Sequence, residues 1–240
     1  MIAIFDLDDT IYNLMEPFER THEDFYASMT DAPCEELFRM SRIYSDEAFY
    51  MEAKGLISRK EEFAYRSRKT YADVGIAVDD EAAESFEARY RYYQKHIHIP
   101  RGMVKILEEL KDRGILTAVL SNGKHKSQQA KVDALGLTAY ILQERIFFSE
   151  DLSAPKPDVR AFEEVIEALF HQAALSGQTF NRNDIYYIGD SFEVDIEGAR
   201  AAGLNCIWFN HRKRKAASEK IKPDYEVHSP DELAKVLNEI

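Results

Sequence analysis

Short, unbroken apolar runs recur along the chain at residues 2–5, 116–120, 146–148, 185–188 and 205–209. From the second run onward they alternate with stretches whose apolar residues return every three or four positions, at 104–112, 127–135, 159–169 and 194–202. The first pattern predicts strands buried on both faces, the second amphipathic helices. Gly114, Gly136 and Gly203 stand where three of those helices should stop, suited to the left-handed conformation of a C-terminal cap. Strands and helices in this alternation predict an α/β fold, a doubly wound parallel sheet of Rossmann-like form. Such sheets bind ligands at the carboxyl ends of their strands.

The alternation stops between Tyr12 and about Gln94. That segment has no clear strand, and its aromatic residues (Phe18, Phe25, Tyr26, Phe63, Tyr71, Phe86, Tyr90, Tyr93) fall at helical spacing. It reads as four or so helices packed on their own aromatic core. The chain therefore divides into a core of residues 1–13 and 97–240 and an inserted helical domain of residues 14–96. The basic run from His211 to Lys215 reads as a solvated loop ahead of a last strand near Tyr225.

Apolar residues make up 45% of the chain, enough for a full core. The net charge of −12 disfavours nucleic acid and anionic membranes as partners but leaves small anionic substrates open. Cys34 and Cys206 form no motif and read as free thiols of a reducing cytosol. With no signal-peptide pattern and no apolar stretch of membrane-spanning length, a cytoplasmic location is expected. A monomer and a homodimer are both compatible with the composition.

Four of the strand ends carry polar clusters. They are Asp6-x-Asp8-x-Thr10, with Asp9 alongside; Ser121-Asn122-Gly123; Ser153-x-Pro155-Lys156-Pro157-Asp158; and Gly189-Asp190-Ser191-x-Glu193-x-Asp195. Carboxylates at the end of a buried strand need a compensating charge. Asp6, Asp190 and Asp195 together make an oxygen-rich site for a hard divalent cation, most simply Mg²⁺. With Lys156 for charge neutralisation and Ser121, Asn122 and backbone N–H groups for phosphoryl oxygens, the set suits phosphoryl transfer, which needs mainly positioning and electrostatics.

In order, spacing and strand context the four clusters resemble the motifs of the haloacid dehalogenase superfamily of aspartate-nucleophile phosphohydrolases, and the helical insert resembles its cap domain. The stretches from Ser121 to Gln128 and from Gly189 to Asn210 look like the branch of nucleotidases and sugar-phosphate phosphatases. The resemblance implies a Mg²⁺-dependent phosphatase acting on a small soluble phosphomonoester, with nucleoside monophosphates favoured. It implies that Asp6 is the nucleophile and Asp8 the acid and base. Thr10 and Ser121 would contact phosphate, and Lys156 would bridge phosphate and Asp6. Asp6, the Asp8 carbonyl and Asp190 would bind the metal, with Asp195 behind them. Many members have glycine where this chain has Asp9, which is expected to satisfy N–H groups of the turn.

Specificity is expected from the cap, where Lys54 and Arg59 bound a basic loop; Gly55 should break one helix and Ser58 should cap the next. Arg66, Arg68 and His125 are weaker candidates, and His96 and His98 read as hinge residues. A sugar-phosphate phosphomutase shares the same core motifs. A 2-haloacid dehalogenase is less favoured, because those enzymes resemble this chain except for the acid at Asp8. A non-catalytic phosphate-binding module would need neither Asp6 nor Asp8.

Overall fold

All five apolar runs form strands, and a sixth follows. The computed structural model describes residues 1–240 apart from the side chains of Asp46, Ala53, Arg59, Lys60 and Phe63. The strands are β1 (Ile2–Phe5), β2 (Leu116–Ser121), β3 (Ile146–Phe148), β4 (Ile185–Gly189), β5 (Asn205–Phe209) and β6 (Tyr225–Val227). They make one parallel sheet in the order β3-β2-β1-β4-β5-β6. β1 lies at its centre, with Ile4 paired to Ala118 of β2 and to Tyr187 of β4. The chain reverses direction across the sheet at β1, so the carboxyl ends of β1, β2 and β4 frame the crevice where such sheets bind ligands.

The chain forms two compact units, one of Met1–Asn13 with His98–Ile240 and one of Leu14–Ile97. In the first, the sheet side chains Ile2, Ile4, Ala118, Ile185 and Cys206 pack against Phe162, Val165, Ile166 and Leu169 of the helix Val159–Leu175. Burying each large apolar side chain contributes about 1.5–3 kcal/mol. Gly114, Gly136 and Gly203 follow their helices with φ of 66°, 59° and 71°, the left-handed stop that their positions predict.

Two departures have local causes. The helix expected over 194–202 opens as a wide π-helical turn, Phe192–Ile196, and only Glu197–Ala201 is α-helical. Ser191 caps the turn by accepting from the Val194 N–H at 3.3 Å, and Asp195 is turned into the interior, 1% exposed. A final helix, Pro230–Glu239, was not among the helices expected, although Leu233, Val236, Leu237 and Ile240 recur at helical spacing. Its start is also marked chemically: Ser229 accepts from the Glu232 N–H at 3.2 Å and Pro230 occupies the first turn.

The second unit is four helices, α1 (Glu16–Phe25), α2 (Cys34–Ala53), α3 (Arg59–Ala72) and α4 (Asp80–Gln94). Phe18, Tyr26, Tyr71 and Phe86 form its core, the Tyr26 and Tyr71 rings 4.1 Å apart. Gly55, with φ of 68°, ends α2, and Ser58 and Glu61 close a reciprocal capping box at the start of α3. Among the described residues no helix is long and apolar enough to cross a membrane. Both cysteines are free.

Candidate active site

Asp6 follows β1 directly. Its N–H donates to Ile188 O of β4 at 2.8 Å, which extends the ladder one residue and fixes the carboxylate at the strand end, 6% exposed. Lys156 reaches it from the loop after β3. The ammonium donates to Asp6 Oδ1 at 2.7 Å, Asp195 Oδ1 at 2.7 Å and the Tyr187 hydroxyl at 2.8 Å. A lysine has three N–H donors, and all three are engaged. Burial works against the ammonium, but the Asp195 and Asp6 charges raise its pKa well above the usual lysine value. Asn122 fixes this lysine from behind: its carboxamide donates to Lys156 O and accepts from the Lys156 N–H, each at 2.9 Å. The side chain of Asn122 thus holds the lysine loop, a different task from the phosphate contact expected of it.

Asp190 follows β4, and the π-helical turn returns Asp195 to the same place. Carboxylate oxygens of Asp6, Asp190 and Asp195 all lie within 4.8 Å of one another. Gly189 makes this possible, because a Cβ there would sit 2.4 Å from Asp195 Cγ. Burial, offset in part by Lys156 and reinforced by Asp195 and Asp8, pushes Asp6 up to about 7. Burial and the charges of Asp195, Asp6 and Asp9 push Asp190 up to about 8. Three crowded carboxylates with too little positive charge fit a hard divalent cation. Asp195 has Oδ1 on Lys156 and Tyr187 and Oδ2 on the Ser191 N–H at 3.0 Å, so Asp6 and Asp190 are the better placed ligands.

Thr10 Oγ1 and Ser121 Oγ are buried and have no hydrogen-bond partner among the described residues. Buried hydroxyls are normally paired. Both stand at the strand ends that carry Asp6 and the Lys156 clamp, as expected of groups that await a ligand.

Asp8 is tied on three sides. Lys131 donates to both of its oxygens at 2.7 Å, Tyr12 to Oδ1 at 2.6 Å and Gln128 to Oδ2 at 3.3 Å. Burial alone would raise its pKa; the Lys131 charge and these hydrogen bonds outweigh it and hold the carboxyl below the usual range. Asp9 takes a left-handed conformation, φ 63°, which explains why glycine serves elsewhere. Its carboxylate is anchored by Arg212, with Nε at 2.5 Å and Nη2 at 2.6 Å, a cation distant in sequence where turn N–H groups were expected as its partners. The basic run is therefore only in part a solvated loop, since Lys213, Arg214 and Lys215 are exposed. Arg212 is nearly buried on Asp9, and Arg214 donates to Asp190 Oδ2 at 3.1 Å.

Lys131, Tyr187, Arg212 and Arg214 escaped the reading of the sequence. Lys131 had a signal, since it lies one turn beyond Gln128 on the same face of the helix His125–Leu135. Tyr187 had none: it alternates as an ordinary apolar strand residue. Among the remaining candidates, His125 bonds Asp151 at 2.7 Å, Arg66 bonds Glu87 at 2.6 Å, and Arg68 pairs with Asp80. Lys54 is exposed in the helical unit with its ammonium 4.1 Å from the centre of the Tyr50 ring, and the Arg59 side chain lies outside the described residues.

Known proteins resemble this chain in sequence and fold. The chain is 28% identical over 184 residues to the pyrimidine 5'-nucleotidase PynA of Streptococcus pneumoniae, covering 76% of this chain and 71% of that one. It is 25% identical to a ribulose-1,5-bisphosphate 5-phosphatase of Halopiger xanaduensis, covering 90% and 87%. Among solved structures, the putative HAD-hydrolase YfnB of Bacillus subtilis bound to magnesium superposes with a TM-score of 0.65 at 24% identity, over 99% of this chain and 98% of that one. An L-2-haloacid dehalogenase of Xanthobacter autotrophicus shares the fold with a TM-score of 0.63 at 15% identity, over 99% of each chain. Residues 1–203 match the family model of haloacid dehalogenase-like hydrolases, and with the fold and the carboxylate cluster in place the chain belongs to that family.

Proposed function

We propose that the protein is a Mg²⁺-dependent phosphatase that hydrolyses a small soluble phosphomonoester, nucleoside monophosphates being the favoured class, through a phosphoryl group carried on Asp6. The observation that carries this reading is the pair of unpartnered buried hydroxyls, Thr10 and Ser121, at the strand ends beside an Asp6 held by Lys156. The pyrimidine 5'-nucleotidase among the relatives supports the nucleotide class.

In this reading an oxygen of Asp6 attacks phosphorus, and the bond to the leaving oxygen breaks. Asp8 gives that oxygen a proton. Asp8 then takes a proton from water, which attacks phosphorus and releases phosphate and free Asp6. The contact with Lys131 favours the ionised form of Asp8, the form that acts as base, so Asp8 takes up the proton that it donates against that pull. Thr10 and Ser121 hold phosphoryl oxygens, and Lys156 keeps the Asp6 carboxylate in place. A bound Mg²⁺ would be held by Asp6, Asp190 and the Asp8 carbonyl, and it supplies charge neutralisation of the phosphoryl oxygens. The helical unit, with Lys54 and Arg59, is the proposed source of leaving-group selectivity.

The fold it shares with haloacid dehalogenases keeps a second reading open, in which Asp6 displaces halide from carbon. Asp8 with its three donors favours the phosphatase, since displacement of halide needs no proton donor for the leaving group. The test is a panel of phosphorylated metabolites with Mg²⁺, read as phosphate release, beside 2-chloropropionate, read as chloride release. Phosphate release lost in Asp6→Asn supports the proposal. Chloride release without phosphate release from any ester sinks it. A product that keeps its phosphate at a new position, seen by NMR, would identify a mutase.

A further inference from the structure

The segment after β5 is built with more care than a connecting loop requires. Asn210, 3% exposed, grips the backbone of Arg214 from both sides: its amide donates to Arg214 O at 2.9 Å and its carbonyl oxygen accepts from the Arg214 N–H at 2.7 Å. This repeats the grip of Asn122 on Lys156 one loop away. Asn210 is in turn fixed by Glu226 at 2.7 Å and by His228 at 2.9 Å. Arg212 anchors the same segment to Asp9 and also donates to Asn13 at 3.0 Å. The result is that Arg214, although its own side chain is half exposed, is aimed at the catalytic cluster. Its Nη1 lies 3.1 Å from Asp190 Oδ2 and its Nη2 lies 3.6 Å from Asp9 Oδ2.

Asp190 is the carboxylate that most needs such a partner. Its side chain is 12% exposed, it stands beside Asp6 and Asp195, and the lysine of the cluster bonds those two and not Asp190. A guanidinium and a divalent cation make the same kind of demand on a carboxylate oxygen. They cannot share one lone pair, and two positive charges a few ångströms apart repel.

We propose that Arg214 is a positioning residue for Asp190, holding its carboxylate in the cation-free protein and yielding it to a divalent cation, and that it thereby sets the affinity for that cation. The proposal rests on the metal assignment made above. Its consequence is that removing a residue of the site should tighten binding of the cation.

The experiment is calorimetric titration of the full chain with Mg²⁺, repeated with Mn²⁺ followed by electron paramagnetic resonance, in the absence of any substrate. Arg214→Gln should bind the cation about tenfold more tightly than the wild type, the scale of one nearby charge at a half-exposed site. Lys215→Gln, which removes the same charge one residue further along, should change affinity less than about twofold if contact matters rather than overall charge. In EDTA, Arg214→Gln should melt below the wild type, and saturating Mg²⁺ should reverse that order. Unchanged or weaker cation binding in Arg214→Gln overturns the proposal, as does equal tightening in Lys215→Gln. Wild-type binding that Asp190→Asn leaves untouched would instead overturn the metal assignment, and this proposal with it.

Discussion

Replacing Lys156 by methionine removes the buried ammonium at the centre of the site and keeps most of its volume. The ammonium contacts two carboxylates at 2.7 Å each, in a side chain only 2% exposed, so solvent cannot replace it. Breaking a buried ion pair by removing one partner costs about 3–5 kcal/mol, because the other charge stays buried without compensation. Two charges are stranded here, although Asp6 can relieve part of the cost by taking up a proton. For a chain of this size about 3–5 kcal/mol corresponds to a fall in melting temperature of roughly 6–20 °C. Differential scanning calorimetry on the wild type, Lys156→Met and Lys156→Met with Asp195→Asn measures it. The double variant should recover about half of the loss or more, because one stranded charge has gone. Phosphate release from an aryl ester should fall on the order of a hundredfold in Lys156→Met. Lys156→Arg should not restore it, since a planar fork cannot meet three acceptors placed around a compact ammonium. A melting temperature within about 2 °C of the wild type would refute the reasoning. So would a double variant no more stable than the single one.

Three further outcomes are expected. Excess EDTA should abolish ester hydrolysis and Mg²⁺ should restore it, with Ca²⁺ less effective because of its looser coordination; full activity in EDTA would remove the metal from the account. Gly189→Ala should cost about 1–3 kcal/mol in chemical denaturation, because its Cβ would overlap Asp195, and an unchanged midpoint would mean that the turn yields easily. His22 is buried in the aromatic core of the helical unit, and burial holds its pKa below the usual histidine value. The unfolded chain therefore takes up a proton near pH 6.5 that the folded unit resists, so stability should fall as pH drops below about 6.5. His22→Gln should flatten that slope, and a slope that survives the substitution would assign it elsewhere.

The parallel sheet was legible because strands buried on both faces are written as unbroken apolar runs, such as Ile2–Phe5, and because glycine marks the helix ends. Asp6, Thr10, Ser121, Lys156, Asp190 and Asp195 were legible as positions because each stands at a strand's carboxyl end or in the loop or turn that follows it, where the topology gathers them. What stayed hidden depends on distance in sequence. Lys131 reaches Asp8 across 123 positions, its only local cue being the helix face it shares with Gln128, and Arg212 reaches Asp9 across 203 with no local pattern to distinguish it from a solvated charge. Tyr187 is hidden for a different reason, since a tyrosine on a buried strand looks like packing until its hydroxyl is found on a lysine. The amide of Asn122 carries the same ambiguity: a polar residue at a strand end can hold a ligand or hold the residue that does.

The most direct test of the central claim is to trap the phosphoryl group. Asp8→Asn keeps Asp6, Lys156 and Asp190, but it should slow the attack of water on the intermediate. A nitrophenolate leaves with little help from an acid, so this variant mixed with p-nitrophenyl phosphate and Mg²⁺ should release a burst approaching one equivalent of nitrophenol. Acid quenching at the end of the burst should yield protein heavier by one phosphoryl group, and borohydride reduction should map the modification to Asp6. A folded, Mg²⁺-binding Asp8→Asn that shows the burst but carries its phosphoryl group on another residue, or carries none, would contradict Asp6 as the nucleophile.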